Sequence, residues 1–286
     1  KIRDEIDSID NQILSLLNDR ARLAIQAGDA KQDSNKYKPA RESSIYNRLL
    51  NLNNGPLETD QVKNIFNEII SSCRSTESAF TISYLGPEGT FSESALQGQF
   101  GKSVDKIPEK TIRSIFESVS EGSSDFGIVP IENSTEGSVN STLDCLSEFE
   151  LTICGEIEMA IHHNLLGHNK PLPKEGFEIH AHEQTLGQCR GWLESYCPGV
   201  KLVSVNSNAQ AASNVTEDNK VIAIAGELAA NKYGLDILSK NIEDYASNTT
   251  RFITIGTIES VKTNFDKTSI MATTKNEEGA LYSLLE

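Results

Sequence analysis

The sequence predicts a chain of α + α/β class: a helical N-terminal segment, then a domain in which short strands alternate with helices. Three observations predict it. Residues 1–31 hold no proline and place Ile2, Ile6, Ile9, Ile13, Leu16, Leu23 and Ala27 at the three- and four-residue intervals of one helix face. That pattern stops between Ser75 and Phe80, where the β-rich run Thr81-Ile82-Ser83-Tyr84-Leu85 begins. From there to about residue 260, apolar strand-like runs alternate with helical ones, as in layered α/β architectures.

A chain of 286 residues has room for two ordinary domains and a fragment of a third. With 37% hydrophobic and 23% charged residues and a mean hydropathy of -0.35, the composition is that of a globular protein. No run approaches the roughly 18 apolar residues that span a bilayer. The opening Lys1-Ile2-Arg3-Asp4-Glu5 lacks the apolar stretch of a secretory signal, so a cytoplasmic location is expected. A net charge of -15 argues against nucleic acid as a partner, because binding to phosphates needs a basic face. The charge is uneven: residues 1–79 carry 11 Lys+Arg and 12 Asp+Glu, and the remainder 15 and 29, so the two parts differ in kind. Cys73, Cys145, Cys154, Cys189 and Cys197 form no Cys-x-x-Cys pair; reduced thiols are expected, with no structural metal and no cofactor.

The first helix covers residues 1–31, a second starts near Arg41-Glu42 after Pro39, and a third runs from about Thr59 with Val62, Phe66, Ile69 and Cys73 on one face and Glu77 one turn on. Arg20 and Lys31 interrupt the apolar stripe of the first helix. Eleven residues at about 100° each return almost to the same face, so both cations point where the stripe points. Buried cations need anions. Either they snorkel to solvent or pair with Glu42 and Glu77 in a plain oligomerisation module, or they grip an anionic ligand. Arg3 lies 17 residues before Arg20, about 25 Å along one helix, so one small ligand cannot touch both from the same chain. If both serve one ligand, Arg3 comes from a second, antiparallel chain in an intertwined dimer.

In the second part, strands are expected at Thr81–Leu85, Phe126–Val129, Glu178–Ala181, Lys201–Val205, Val221–Ala225 and Phe252–Ile255. The turns that follow are rich in hydroxyls and amides: Gly86-Pro87-Glu88-Gly89-Thr90-Phe91-Ser92, Pro130-Ile131-Glu132-Asn133-Ser134, His182-Glu183-Gln184-Thr185 and Asn206-Ser207-Asn208-Ala209. Each is expected to open a helix. Taken singly, each is an ordinary cap; several converging on one cleft offer N–H groups and positive dipole ends to a carboxylated ligand. Asn248-Thr249-Thr250-Arg251-Phe252, leading into a strand, is either a polar turn or two hydroxyls set beside a guanidinium for use.

The cations at 3, 20 and 31, followed by Pro39-Ala40-Arg41-Glu42, resemble the all-helical chorismate mutase family. That resemblance implies a pericyclic rearrangement of chorismate to prephenate, which needs a held conformer and positive charge near the ether oxygen rather than a nucleophile. It implies that Arg3 of a partner chain and Arg20 bind the two carboxylates and that Lys31 donates to the ether oxygen. It adds Arg41 and Glu42, with Glu42 accepting from the ring hydroxyl, and substrate contacts at Lys38, Cys73 and Glu77. Lys38 stands where the best-known bacterial pattern has Asp, Cys73 where it has Ser, and Glu77 where it has Gln, the second donor to the ether oxygen. Glutamate donates only when protonated, so Glu77 in that role needs a pKa well above its reference of about 4.3.

The runs Tyr84 to Glu93, Pro130 to Val139, His163-Asn164-Leu165-Leu166, His182 to Cys189, Ala229 to Leu235 and Thr250-Arg251-Phe252 resemble the prephenate dehydratase family, in order, over some 170 residues. The implied fold is two α/β lobes of periplasmic-binding-protein-like type with the site between them. The implied reaction is loss of CO2 and the 4-hydroxyl from prephenate to give phenylpyruvate. By resemblance Thr250 is the essential hydroxyl, Arg251 a carboxylate partner, and Thr90, Ser92, Asn133, Ser134, Gln184 and Ser207 contacts. Asn208, where Thr is usual, and Glu183, where Pro is common, depart from the pattern.

From Lys267, the strand-like Thr268 to Thr274 and the helix start Asn276 to Leu281 resemble the beginning of an ACT regulatory domain, too short to bury a core. The expected division is therefore 1–78, helical mutase; 80–260, dehydratase; and 267–286, incomplete ACT. Together these imply an enzyme, isomerase and lyase, of phenylalanine biosynthesis, active on chorismate and prephenate as a homodimer or larger assembly. The alternatives are a non-catalytic sensor of aromatic carboxylates with a helical dimerisation arm, or a chain keeping only one activity.

Overall fold

The computed structural model describes residues 1–29, 37–77, 80–168, 175–218, 220–259, 261–263, 266–272 and 277–286, excepting the side chains of residues 29, 77 and 281. Three helices lead: α1 (Ile2–Asp29), α2 (Pro39–Leu52) and α3 (Thr59–Glu77), with α1 and α2 both packed on α3. Pro39 occupies the first turn of α2, where its missing N–H costs no helical bond. The apolar stripe of α1 faces outward on the single chain: Ile2, Ile6, Ile9, Ile13, Leu16 and Leu23 are all exposed.

The first lobe contains β1 (Thr81–Leu85), α4 (Phe91–Phe100), β2 (Asp105–Glu109), α5 (Ile112–Ser120), β3 (Phe126–Asn133), the short β4 (Gly137–Ser138), α6 (Asn140–Glu148) and β5 (Thr152–Ala160). The second contains β6 (Asn164–Gly167), β7 (Glu178–His182), α7 (Glu183–Gln188), α8 (Arg190–Tyr196), β8 (Lys201–Val205), α9 (Asn208–Ser213), β9 (Val221–Ala225), α10 (Glu227–Tyr233) and β10 (Asp236–Ser239). The chain then returns to the first lobe as β11 (Thr249–Gly256). Strand order is β2-β1-β3-β11-β5 in the first sheet and β10-β6-β9-β7-β8 in the second.

Both sheets are covered on two faces, which is why β3 and β9 read as continuous apolar runs rather than alternating ones. On the first sheet, one face carries Ile115, Phe116, Val129 and Ile253. The opposite cluster holds Ile82, Tyr84, Leu96, Phe100 and Phe126 together with Tyr37, which comes from the helical segment. Leu165, Ile179 and Leu193 fill one side of the second sheet, and Leu166, Ala211, Ala223 and Ala229 the other.

The lobes are joined by two passages of chain, 161–163 and 240–248, that bond to each other: Ile161 N–H donates to Asn248 O and Ile242 N–H to His163 O, both at 2.8 Å. Of the expected strands, β1, β8 and β9 match their predicted limits, whereas β3, β7 and β11 run longer. The sequence reading did not include β2, β5, β6 or β10. The strand expected at 268–274 is corrected: residues 266–272 are irregular, because among the described residues no neighbouring strand offers a ladder, and residues 273 and 274 lie outside the described part. A short helix, α11 (Ala280–Leu285), follows.

Candidate active sites

In the helical domain the described residues bring Glu42, Arg20 and Arg74 together. Glu42 lies in the first turn of α2, and its Oε1 is 3.1 Å from Arg74 Nη2 of α3. Burial pushes the Glu42 carboxyl above its ordinary range, against the opposing pull of the Arg74 and Arg20 cations. Cys73 is buried, whereas Lys38 and Arg41 are exposed. Arg3 is exposed near the opposite end of α1 from Arg20. Lys31 and the Glu77 side chain lie outside the described residues. Arg74 was not read from the sequence. Its neighbours come from distant segments, and the one local signal is a cation adjoining the Cys73 face of α3.

A second constellation sits where the lobes join. Thr250 on β11 stands in register with Asn133 at the end of β3. The Asn133 Oδ1 accepts from the backbone N–H of Thr135 at 2.9 Å and of Glu136 at 3.3 Å, so its amide nitrogen must face the other way. That nitrogen donates to Thr250 Oγ1 at 2.7 Å and to Asn248 Oδ1 at 3.0 Å. Asn248 Nδ2 in turn donates to Gln188 Oε1 at 3.3 Å, which also meets His163 Nε2 at 2.8 Å. An amide oxygen only accepts, so His163 carries its hydrogen on Nε2. Burial lowers the His163 pKa, outweighing the opposite pull of Gln188 and Glu243. The direction of this chain is thus set from its two backbone donors, and Thr250, accepting from Asn133, meets no acceptor for its own hydroxyl hydrogen among the described residues.

The other expected contacts are placed unequally. Thr90 caps α4, accepting from Glu93 N–H and donating to Leu85 O at 3.0 Å; Ser92 is buried in the first turn. Ser134 accepts from Thr249 N–H at 2.9 Å and donates to Ser247 O at 3.3 Å. Ser207 caps α9 by accepting from Gln210 N–H at 3.0 Å. Gln184 is half-buried in α7. Arg251 is paired with Glu132 at 3.1 Å and approaches Glu156 at 3.8 Å. As the next residue along β11 it points to the opposite face from Thr250, so the structure does not bring the two side chains together.

Two of the four turns do not open a capped helix as expected. After Asn133 the chain folds back as β4 because the Asn133 side chain takes up the following N–H groups, and α7 begins behind His182 without a side-chain cap. Asn208, a departure from the resemblance, ties two turns together: its Oδ1 accepts from His182 N–H at 2.9 Å and its Nδ2 donates to Thr185 Oγ1 at 2.8 Å. Glu88 of the first lobe and Lys232 of the second form an ion pair. Gln188, Asn248 and His163 join the site although the sequence reading did not single them out. All three lay inside quoted runs, but only the fold shows that they meet. Among the described residues no group of three His, Cys, Asp or Glu side chains is arranged to hold a metal.

Comparison with known proteins matches the two parts of the chain to two families. Residues 2–78 fit the model described as chorismate mutase type II, and residues 82–260 that of prephenate dehydratase. The bifunctional chorismate mutase/prephenate dehydratase of Stutzerimonas stutzeri is 43% identical over 291 residues, spanning 99% of this chain and 80% of that protein. Among solved structures, the prephenate dehydratase of Arthrobacter aurescens in complex with L-Phe is similar at a TM-score of 0.61 and 29% identity, covering 72% of this chain and 70% of that one. The Staphylococcus aureus prephenate dehydratase is similar at 0.58 and 27%, covering 72% and 78%. Two catalytic domains in this order, on a chain matched nearly end to end, make it a member of the bifunctional chorismate mutase/prephenate dehydratase family.

Proposed function

We propose that the two reactions of this family are carried by the residues assembled above, in a cytoplasmic homodimer. In the mutase domain Arg20 and the partner's Arg3 hold the two carboxylates of chorismate, and Lys31 and a protonated Glu77 donate to the ether oxygen. Lys38, Arg41 and Cys73 border the substrate, and Glu42 accepts from its ring hydroxyl. The step needs no covalent intermediate: a held conformer and positive charge at the breaking C–O bond suffice.

In the dehydratase domain the bond from the ring to its carboxylate breaks, releasing CO2. The freed electron pair aromatises the ring and expels the 4-hydroxyl, which takes a proton and leaves as water. Thr250 donates a hydrogen bond to that departing oxygen, and the proton that completes the water comes from solvent. The observation that carries this role is the 2.7 Å bond from Asn133 Nδ2, which makes Thr250 Oγ1 an acceptor toward the protein and leaves it a donor toward the substrate. Thr90, Ser92, Ser134, Gln184 and Ser207 complete the proposed contacts with prephenate, and Arg251, on the face of β11 opposite to Thr250 and paired with Glu132, stands apart from them.

The test supplies chorismate and follows its disappearance together with phenylpyruvate appearance in the wild type and in Thr250→Ala. The expected result is coupled turnover in the first and accumulation of prephenate in the second. Undiminished phenylpyruvate formation in Thr250→Ala would overturn the role of that hydroxyl, and no turnover in the wild type would favour a sensor.

A further inference from the structure

Arg74 is a cation almost sealed from solvent, 8% exposed, in a place where charge is costly. Its guanidinium carbon lies 5.3 Å from the centroid of Phe80, 5.5 Å from Tyr37 and 5.9 Å from Phe100. Three ring faces and edges thereby replace water around it. Among the described residues no aligned hydrogen bond satisfies its nitrogens; the one anion it meets is Glu42, itself only 15% exposed.

Two of the three rings belong to the dehydratase domain. Phe80 immediately precedes β1 and Phe100 ends α4, and both lie in the core of the first lobe. Tyr37 is drawn into the same core, where its hydroxyl accepts from Gln99 Nε2 at 3.0 Å. Asn67 Nδ2 donates to Gln97 O and Gly98 O at 3.1 and 3.2 Å, and Ser103 N–H to Ser71 Oγ at 3.1 Å, so α3 is fastened to α4 along the flank of this seat.

We propose that Arg74 is a positioning residue for the mutase reaction: seated on rings of the dehydratase domain, it fixes the Glu42 carboxylate in the place and charge state that accepts the ring hydroxyl of chorismate. The dehydratase domain thereby completes the mutase site. This rests on the role proposed above for Glu42. The charged and titratable groups facing Glu42 among the described residues are Arg20 from α1, Arg74 from α3, Tyr46 from α2 and Tyr37. Both arginines favour the carboxylate, and burial opposes it. Removing Arg74 therefore lets Glu42 take up a proton at higher pH, and the acid limb of mutase kcat moves upward.

The experiment measures mutase kcat and KM from acid to alkaline pH on the full chain, with prephenate dehydration as the check on folding. Arg74→Met is expected to move the acid limb up by about one pH unit, to lower kcat near that limb about tenfold and to leave KM and dehydration nearly unchanged. Arg74→Lys, which restores the cation, is expected to recover most of the rate. An unmoved acid limb in Arg74→Met overturns the proposal. If that variant loses dehydration as well, Phe100→Leu decides: it thins the seat from the dehydratase side and should move the mutase limb the same way, an unmoved limb again overturning the proposal. Glu42→Ala separates the underlying reading, since full mutase activity there would remove Glu42 from the reaction whatever Arg74 does.

Discussion

Thr250 and Asn133 face each other across β11 and β3, and the one hydrogen bond between them fixes which way the Thr250 hydroxyl, proposed above to be catalytic, points. Thr250→Ala is expected to lower dehydratase kcat by about two orders of magnitude or more and to leave chorismate consumption intact, read by following both reactions in one assay. Asn133→Asp is a sharper probe of direction. A carboxylate in that place can only accept, so it turns the Thr250 hydroxyl hydrogen toward the protein; kcat should fall with a smaller change in KM. In the mutase domain the donor role proposed for a protonated Glu77 predicts activity that declines as pH rises, on the side opposite to Glu42, and Glu77→Gln is expected to flatten that decline; an unchanged profile would remove the role. Residues such as Thr250, Asn133 and Arg20 were legible because each lies in a run whose chemistry is local. Arg74 was not, and Asn248, though in the same run as Thr250, was not singled out, since their meaning comes from rings and amides that only the folded chain brings near.

Caps and strand cores show the same division at the level of elements. The start of α2 behind Pro39, the Thr90 and Ser207 caps, and the apolar runs of β1, β8 and β9 are written in adjacent residues. The edge strand β2 carries the polar sequence Asp-Lys-Ile-Pro-Glu and gains its identity from parallel pairing with β1, which no local pattern announces. The seam between α3 and α4 depends on a single backbone allowance. Gly101 has φ of 74°, and a Cβ there would lie 2.3 Å from the Ser71 Cβ. Gly101→Ala is therefore expected to destabilise the chain by about 1–3 kcal/mol, measured by denaturant unfolding. Because Ser71 and Arg74 share α3, it should also disturb mutase kinetics more than dehydratase kinetics.

For the whole molecule the informative feature is the outward stripe of α1. Ile2 is 74% exposed, Leu16 67% and Leu23 64%, and together with Ile6, Ile9 and Ile13 they form an apolar band that a monomer has no use for. In the homodimer proposed above, a second copy laid antiparallel along α1 would cover the band and carry its Arg3 to the Arg20 end. Ile13→Glu should then give monomers by sedimentation, with mutase activity lost and dehydration retained. Complementation tests the exchange of residues itself. Arg3→Ala and Arg20→Ala homodimers both lack an arginine in every mutase site. A mixed dimer, with each arginine serving as proposed, has one site with Arg20 from the first chain and Arg3 from the second, and one site with neither. Random reassociation of equal amounts makes about half the dimers mixed, so about a quarter of wild-type sites should return. If Arg3 instead served the site of its own chain, every site in every dimer would still lack one arginine, and mixing would restore nothing.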